Sequence, residues 1–249
     1  INPLKFVNGI AKHALSKKLK IFEHTKVDKI NKENGSYVLE TKEGSIRSKK
    51  IVVATNGFYQ EGLIPQMDGR VLPVISNVIV TRKLNEDELN AHNFKTFSPV
   101  VNTKNLLCYY RKLPDNRILF GTRGDLTGSD QSNLAMSKKM EKFLKDIFPQ
   151  WSNVAIDYNW RGLIALSQKL APSIGKIDNE EIYYGFGYNG VGVSAAPWTG
   201  KQLSKLVFSS NSKELDISKI YKGLPKKFIF PQLRIIYFRL AVWFYIIKD

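Results

Sequence analysis

The sequence predicts an α/β (α+β) fold in which an antiparallel sheet is inserted into an α/β unit built on buried strands. Two apolar runs, Ile51–Ala54 and Ile182–Phe186, have the composition of strands buried on both faces. Between them, from about residue 71 to 160, amphipathic strands alternate with turn residues and helical segments. We therefore assign the two runs to one nucleotide-binding sheet and the intervening segment to a second, antiparallel sheet.

Local signals predict the other elements in order. Asn2-Pro3 is typical of a helix start, because Asn is a favoured N-cap and Pro suits the first turn. Asn34-Gly35 indicates a hairpin turn within a small antiparallel meander. The patterns further predict helices at 85–91, 131–148 and 193–208, and strands at 71–81, 106–112, 117–122 and 154–166.

The chain is organised around a glycine-rich turn that follows the second apolar run. Gly187, Gly190 and Gly192 stand between the strand ending at Phe186 and the helix predicted from Val193. Such a turn directs free N–H groups and the positive end of a helix dipole at one place. That place suits a phosphate, a carboxylate or the carbonyl edge of a ring that becomes negative on reduction. The glycines alone are equally consistent with a structural turn that binds no ligand.

Composition excludes several classes of function. Among 249 residues there are 38 Lys and Arg against 22 Asp and Glu, a net charge of +16. Because these lysines are scattered, and no zinc spacing or RNA-binding aromatic signature accompanies them, we interpret them as solvated surface and expect no nucleic-acid partner. The single cysteine, Cys108, permits no internal disulfide and indicates a reducing, cytoplasmic location. The histidines share no spacing that would form a metal site or a catalytic triad: His13, His24 and His92.

The C-terminal segment, 215–249, is apolar and predicted to form a helical tail. Apolar residues recur there near helical spacing, at Ile235, Phe238, Val242 and Tyr245. Because Pro231 and two arginines interrupt the run, we expect no transmembrane span and predict a helix packed on the domain. A helix that lies on a membrane surface is the alternative.

A series of motifs that begins with N-P-x-K near the start covers nearly the whole chain. The motifs that follow are I-V-V-A-T-N-G, Y-Y-R-x-x-P-D-x-R-x-x-F-G-T-R, W-R-G, A-P-S-I-G and G-Y-N-G-V-G-V-x-A-A. In this order they resemble the flavin-dependent amine and amino-acid oxidases of the D-amino-acid oxidase superfamily. Within it, the gamma-glutamylputrescine oxidase-like and glycine/sarcosine oxidase-like members are the most similar.

This resemblance implies a partial FAD-binding Rossmann-like domain with an inserted antiparallel β-sheet substrate domain. The expected boundaries are 1–70 for the first part of the FAD-binding domain, 71–160 for the substrate domain, 161–214 for the second FAD-binding part and 215–249 for the C-terminal helical tail.

Two departures from the family pattern stand out. The family begins with a strand–helix–strand unit whose G-x-G-x-x-G binds the FAD pyrophosphate, and we assign no G-x-G-x-x-G ahead of a helix in this chain. Together with a start at Ile1 instead of Met, this predicts a C-terminal portion, as a fragment or a processed product. Val191 stands where relatives often carry His, so backbone donors are expected to act there in place of a side chain.

The resemblance implies a cofactor-binding set. Backbone N–H groups of the glycine turn and the helix dipole would stabilise the negative charge of reduced flavin near N1 and the C2 carbonyl. Asn56 and its neighbours follow the first buried strand at its carboxyl end, where α/β sheets bind ligands. The set comprises Val27 (a backbone contact to adenine), Thr55, Asn56, Gly57, Gly187, Asn189, Gly190, Val191, Gly192 and Val193.

Four residues are candidates for substrate contact, and no catalytic residue is assigned. The guanidinium of Arg111 suits a substrate carboxylate, although an ion pair with Asp115 or Asp125 is the structural alternative. Aromatic rings that could wall a pocket, or pack in the core, are those of Tyr110, Trp160 and Tyr188.

The implied activity is FAD-dependent oxidation of a C–N bond in a small-molecule amine or amino acid. Hydride passes to flavin N5, the imine hydrolyses, and O2 reoxidises the flavin. Because the stretch before A-P-S-I-G holds no thiol and the histidines lie outside the flavin motifs, we expect non-covalent FAD. The alternative is a non-catalytic binding or assembly subunit that keeps the fold but does not hold FAD by itself.

Overall fold

A computed structural model describes residues 1–123, 125, 127–208 and 215–248. Within them the strands are β1 (Lys29–Glu33), β2 (Ser36–Thr41), β3 (Gly44–Ser48), β4 (Ile51–Val53), β5 (Leu72–Thr81), β6 (Val100–Val101), β7 (Cys108–Lys112), β8 (Ile118–Arg123), β9 (Ile156–Leu166), β10 (Ser173–Lys176) and β11 (Ile182–Phe186). The helices are α1 (Pro3–Ser16), α2 (Glu86–Ala91), α3 (Asp130–Ile147), α4 (Gly192–Phe208) and α5 (Arg234–Lys248). This mixture of helix and sheet confirms the predicted fold class.

The chain divides into two compact units. The first comprises Ile1–Val71 and Ser167–Lys227, and the second comprises Leu72–Leu166 and Phe228–Asp249. Strand β9 is continuous through residue 160, where the sequence analysis placed a domain boundary. The boundary expected after residue 214 lies outside the described residues.

In the first unit, the two apolar runs pair as parallel strands. Ile182 lies opposite Ile51 and Tyr184 opposite Val53, and β10 pairs antiparallel on the other side of β11 to give the order β10-β11-β4. Every residue of β11 is buried, as its unbroken apolar and aromatic composition indicates. The prediction that the two runs share one sheet is confirmed. The prediction that both runs are buried on both faces is wrong for β4, because Val52 is 47% exposed on one face of the sheet.

Helix α4 packs against β11, and the glycine-rich turn ends at the N-terminus of this helix. Leu203 of this helix is buried with Ile174 and Tyr183 of the sheet. The helix begins at Gly192, one residue before the predicted start, and continues through Pro197 to Phe208. Its position over β11 therefore determines where its N-terminus lies relative to the sheet.

In the second unit, all the pairings of the five-stranded sheet β6-β7-β8-β5-β9 are antiparallel. Helix α3 covers one face, and Met140 and Leu144 of that helix are buried against Ile79 and Phe120 of the sheet. Trp151 is completely buried in the same cluster, and its indole N–H donates to the Glu88 carbonyl at 2.7 Å. The predicted antiparallel sheet is confirmed.

A carboxylate links the start of α2 to the end of β5. The Glu88 carboxylate accepts hydrogen bonds from Arg82 at 2.6 Å and from the backbone N–H of Asn85. The Asn85 side chain accepts from the backbone N–H of Glu88 in turn, which completes a capping box at the start of the helix. These hydrogen bonds, those from Arg82 above all, lower the pKa of Glu88 from 4.5 to about 2. Because the folded pKa lies below the unfolded one, the stabilisation is present above the unfolded pKa and is lost as the pH falls from 4.5 towards 2.

We expect Glu88→Gln to lower the free energy of unfolding by about 1 kcal/mol at neutral pH. Urea denaturation midpoints of variant and wild type should differ at pH 7 and converge as the pH falls to about 3, since the wild-type carboxylate is losing its advantage there. Glu86→Gln is the matched control, because it removes one carboxylate from the first turn of the same helix and leaves the Arg82–Glu88 pair in place. Parallel profiles for Glu88→Gln and the wild type would contradict the assigned role.

Candidate cofactor site and substrate face

The glycine-rich turn between β11 and α4 uses backbone conformations that favour glycine and asparagine. The φ angles are +77° at Gly187, +51° at Asn189 and +101° at Gly190. The N–H of Val191 donates to the carbonyl of Tyr188 at 3.0 Å, and so closes the turn on itself. Three left-handed residues within four positions thus bring the chain from the strand into the helix.

Two asparagines hold this turn in place. The Asn56 side-chain oxygen accepts from the N–H of Gly187 at 3.0 Å, across 131 residues of sequence. The Asn189 side chain accepts from the N–H of Ser167 at 3.1 Å and donates to the carbonyl of Gly187. Because Asn56 bonds to Gly187, the segment after β4 meets the turn after β11. Asn56, which directly follows Thr55, itself has a φ of +49°.

The predicted residues of this region therefore lie together at the carboxyl ends of two parallel strands. Thr55, Asn56 and Gly57 come from the β4 side, and residues 187–193 come from the β11 side. Val27 is half-buried in the segment between α1 and β1, and it is not one of the residues that line the cavity beside the turn.

The N-terminus of α4 faces that cavity, which has a volume of about 450 Å³. Its lining includes Gly190, Val191, Val193 and Ser194, and Gly190 and Val193 are exposed. The first intrahelical bond runs from Ala195 N–H to Val191 O, and the preceding N–H groups of the first turn have no intrahelical acceptor.

No acidic side chain occupies the first turn of this helix. The helix dipole and its free donors are therefore not neutralised from within the turn. A donor set of backbone N–H groups at an open, positive helix end fits the anionic pyrimidine edge of a flavin, so the residues present fit the group that the sequence implies.

The glycine spacing requires a correction to the sequence analysis. Gly185, Gly187 and Gly190 form a G-x-G-x-x-G directly ahead of α4, so the statement that no such spacing precedes a helix here was wrong. A Cβ at Gly185 would lie 2.4 Å from Thr199 Cγ2 of α4, so this glycine allows close packing of strand and helix. Gly187 and Gly190 supply the left-handed turn. The spacing was overlooked because its first glycine belongs to the strand.

The substrate candidates of the second unit lie on opposite faces of its sheet. The ring of Tyr110 stacks on Phe120 at 6.1 Å and meets the edge of Phe148 at 5.4 Å, on the face that α3 covers. Arg111 is the next residue on β7, so it belongs to the other face. The ring of Tyr110 therefore packs against the core cluster on the α3 side of the sheet.

Trp160 shares the face of Arg111. Its neighbour Arg161 reaches the first residues of α3, donating to Ser129 O at 2.7 Å and to Asp130 at 3.1 Å. Because side chains alternate along β9, Trp160 points away from α3, and it is 46% exposed. Tyr188 belongs to the first unit, where it is buried and its hydroxyl donates to the Gly185 carbonyl at 3.3 Å.

Neither of the two acids considered for Arg111 is directed to it. Asp115 pairs with Arg117 at 3.2 Å. Asp125 is buried, and its carboxylate accepts hydrogen bonds from Ser132 at 2.7 Å and from backbone N–H groups of its own loop. Burial by itself would raise the pKa of this carboxyl, but the hydrogen bonds together outweigh burial and lower it. Among the residues that the structure describes, neither Asp115 nor Asp125 therefore forms an ion pair with the guanidinium of Arg111.

Sequence reasoning missed Tyr109, which lies on the same face. Its hydroxyl is 3.3 Å from Ser76 Oγ, and its ring lies over Gly121 of the paired strand β8. A Cβ at Gly121 would come within 2.1 Å of the Tyr109 ring, so the glycine makes room for it. The alternation in Y-Y-R already places Tyr109 and Arg111 on one face, and this signal could have identified it.

The first unit thus combines a parallel strand pair with a glycine-rich turn into an open helix N-terminus, the second unit is built on an antiparallel sheet, and the chain is an α/β (α+β) protein. A family model described as "FAD dependent oxidoreductase" matches residues 1–206, and the chain belongs to this family. The resemblance stated from the motifs is thereby confirmed.

Curated relatives agree with this assignment. The chain is 31% identical over 207 residues to gamma-glutamylputrescine oxidoreductase of Escherichia coli, covering 83% of this chain and 47% of that protein. It is 29% identical over 229 residues to the probable oxidoreductase OrdL of Haemophilus influenzae, covering 90% and 50% respectively. The chain thus spans about half the length of the curated relatives it matches.

Solved structures share the fold. L-proline dehydrogenase from P. horikoshii superposes with a TM-score of 0.67 at 22% identity, covering 86% of this chain and 57% of that one. Glycine oxidase from Geobacillus kaustophilus superposes with a TM-score of 0.67 at 19% identity, covering 87% and 55%. At these identities the likeness shows the fold alone.

Proposed function

We propose that the chain forms the flavin-ring and substrate-side part of an FAD-dependent oxidoreductase that oxidises a C–N bond of an amine or amino acid. The observation that carries this proposal is the open, acid-free N-terminus of α4, reached through the left-handed Gly190, in a chain of an FAD-dependent family. The printed name of the relative gamma-glutamylputrescine oxidoreductase supports the substrate class. When bound, FAD supplies a hydride acceptor for the C–H next to the amine nitrogen.

The role of the turn is to hold negative charge. N–H groups of Gly190, Gly192, Val193 and Ser194, together with the α4 dipole, stabilise an anionic flavin edge. The N–H of Val191 is already bonded to Tyr188 O, so this residue contributes no donor. Asn56 and Asn189 act by keeping the turn rigid, because preorganised donors need no rearrangement when charge develops.

On the second unit, Arg111 is proposed to bind a substrate carboxylate, with Trp160 and Tyr109 shaping the surface around it. No acid–base pair is required when the amine arrives deprotonated, since the protein has only to orient the C–H and exclude water. O2 is the proposed acceptor, and the cytoplasm is the proposed location.

Flavin absorbance and oxidase assays on the complete gene product test this proposal. We expect visible flavin bands that bleach anaerobically with an amine or amino-acid substrate and recover with air, with one H2O2 formed per imine. A stoichiometric flavin that no amine or amino acid reduces would contradict the substrate class. A complete product that binds no FAD would favour the alternative, a non-catalytic assembly subunit.

We expect the FAD to be non-covalent. Cys108 is buried within β7, and the stretch from Trp160 to Leu170 contains no thiol that could bind the flavin methyl group. Acid precipitation of the complete enzyme should therefore release all the yellow colour into the supernatant. Flavin fluorescence that stays with the protein band on a denaturing gel would show that a covalent bond exists.

A further inference from the structure

The last helix, α5, presents an apolar surface to solvent. Val242 is buried, and Arg234, Phe238 and Tyr245 are partly buried on the same side of the helix. The residues on the opposite side are 49–67% exposed and all apolar; they are Ile236, Leu240, Trp243, Phe244 and Ile247, here named the outer face.

This outer face reverses the usual pattern of a surface helix, which places polar side chains towards water. Its five members fall within an arc of about 100° around the helix axis. Arg239 follows on one side of this arc at about 40°, and Tyr237 and Lys248 follow on the other at about 20° and 40°. Contiguous apolar surface bordered by polar residues marks an interaction site.

The surrounding sequence shows what kind of partner fits. Residues 228–248, the segment of the second unit that contains α5, hold three lysines and arginines and no aspartate or glutamate, and Asp249 follows them. This stretch lies beyond residues 1–206, which match the family model, so the proposed flavin chemistry does not account for it. An acid-free segment of this charge is complementary to an anionic surface, and it would repel a second copy of itself.

We propose that α5 binds peripherally to an anionic phospholipid membrane, with the outer face immersed at the level of the headgroups. Trp243 and Phe244 occupy the interface, where aromatic rings are favoured, and Lys248 extends to the lipid phosphates. At 15 residues, the helix is shorter than the roughly 20 needed to cross a bilayer. Among the residues that the structure describes, no helix qualifies as a membrane span. The inference is independent of the proposed function.

Vesicle sedimentation of the complete chain tests the proposal. Binding to phosphatidylcholine vesicles containing phosphatidylglycerol should be at least about tenfold stronger than binding to pure phosphatidylcholine, and it should weaken as NaCl is raised. Leu240→Asp should reduce binding at least about tenfold, because it places a charge within the immersed face. Leu134→Asp on α3 is the matched control, since Leu134 is 57% exposed and Leu240 is 59% exposed.

A spectroscopic readout locates the contact. Brominated acyl chains should quench Trp243, and Trp243→Phe should lose this quenching while its vesicle binding stays within about twofold. Equal vesicle binding by Leu240→Asp and the wild type would overturn the proposal. So would binding that ignores lipid charge, or a lipid-free dimer that Leu240→Asp dissociates while vesicles leave both proteins in the supernatant.

Discussion

Replacing Gly190 with Val in the complete enzyme is expected to lower the flavin content of the purified protein at least about tenfold. Gly190 has a φ of +101°, a conformation that a β-branched residue adopts only with strain. To relieve it, the backbone of the turn must rotate, which displaces the start of α4 from its place beside the cavity that Gly190, Val193 and Ser194 line. The ratio of flavin absorbance to protein absorbance after purification measures the effect.

Gly200→Val is the matched control for this experiment. Gly200 lies on the same helix, its φ is not positive, and a Cβ there would meet nothing within 4 Å. Its flavin content should equal that of the wild type. The second unit should remain folded in both variants, because neither glycine belongs to it. Normal flavin content in Gly190→Val would remove the central argument for this cofactor site.

Composition alone sufficed to predict which strands form the central pair. Every residue of Ile182–Phe186 is buried, as its apolar run predicts, whereas Val52 in the strand Ile51–Val53 is 47% exposed, so an apolar run located that strand without showing that both of its faces are covered. The N-cap of α1 is equally local, since Asn2 accepts from the N–H of Lys5 at 3.1 Å, three residues on. Such features depend on neighbours in sequence, and a sequence therefore reveals them.

Which face of a strand is covered cannot be known from the strand itself. Alternation in Y-Y-R shows that Tyr110 and Arg111 point in opposite directions, but the position of α3 decides that Tyr110 is the one that packs against the core cluster. The bond from Gly187 to Asn56 likewise joins residues 131 positions apart. The apolar residues at the C-terminus were recognised as helical, yet their spacing did not reveal that the five residues of the outer face would remain exposed together.

The close approach of strand β11 to helix α4 predicts the second large effect. A Cβ at Gly185 would lie 2.4 Å from Thr199 Cγ2 and 2.8 Å from Leu203 Cδ1. Thr199 and Leu203 are both buried, so neither can move aside without disturbing the core of the first unit. Gly185→Val is expected to lower the free energy of unfolding by about 2–3 kcal/mol, a typical cost of overpacking.

Urea denaturation monitors this loss, and two further variants establish its cause. Gly44→Val, in β3 of the same unit, adds the same side chain where a Cβ has no neighbour within 4 Å, and it should change the midpoint little. Adding Thr199→Ser to Gly185→Val removes the nearest methyl group and should recover part of the stability. Because displacement of α4 also moves its N-terminus, the single variant should retain less flavin than the double variant. A wild-type midpoint for Gly185→Val would show that the helix has room to move and that this glycine does not position the cofactor site.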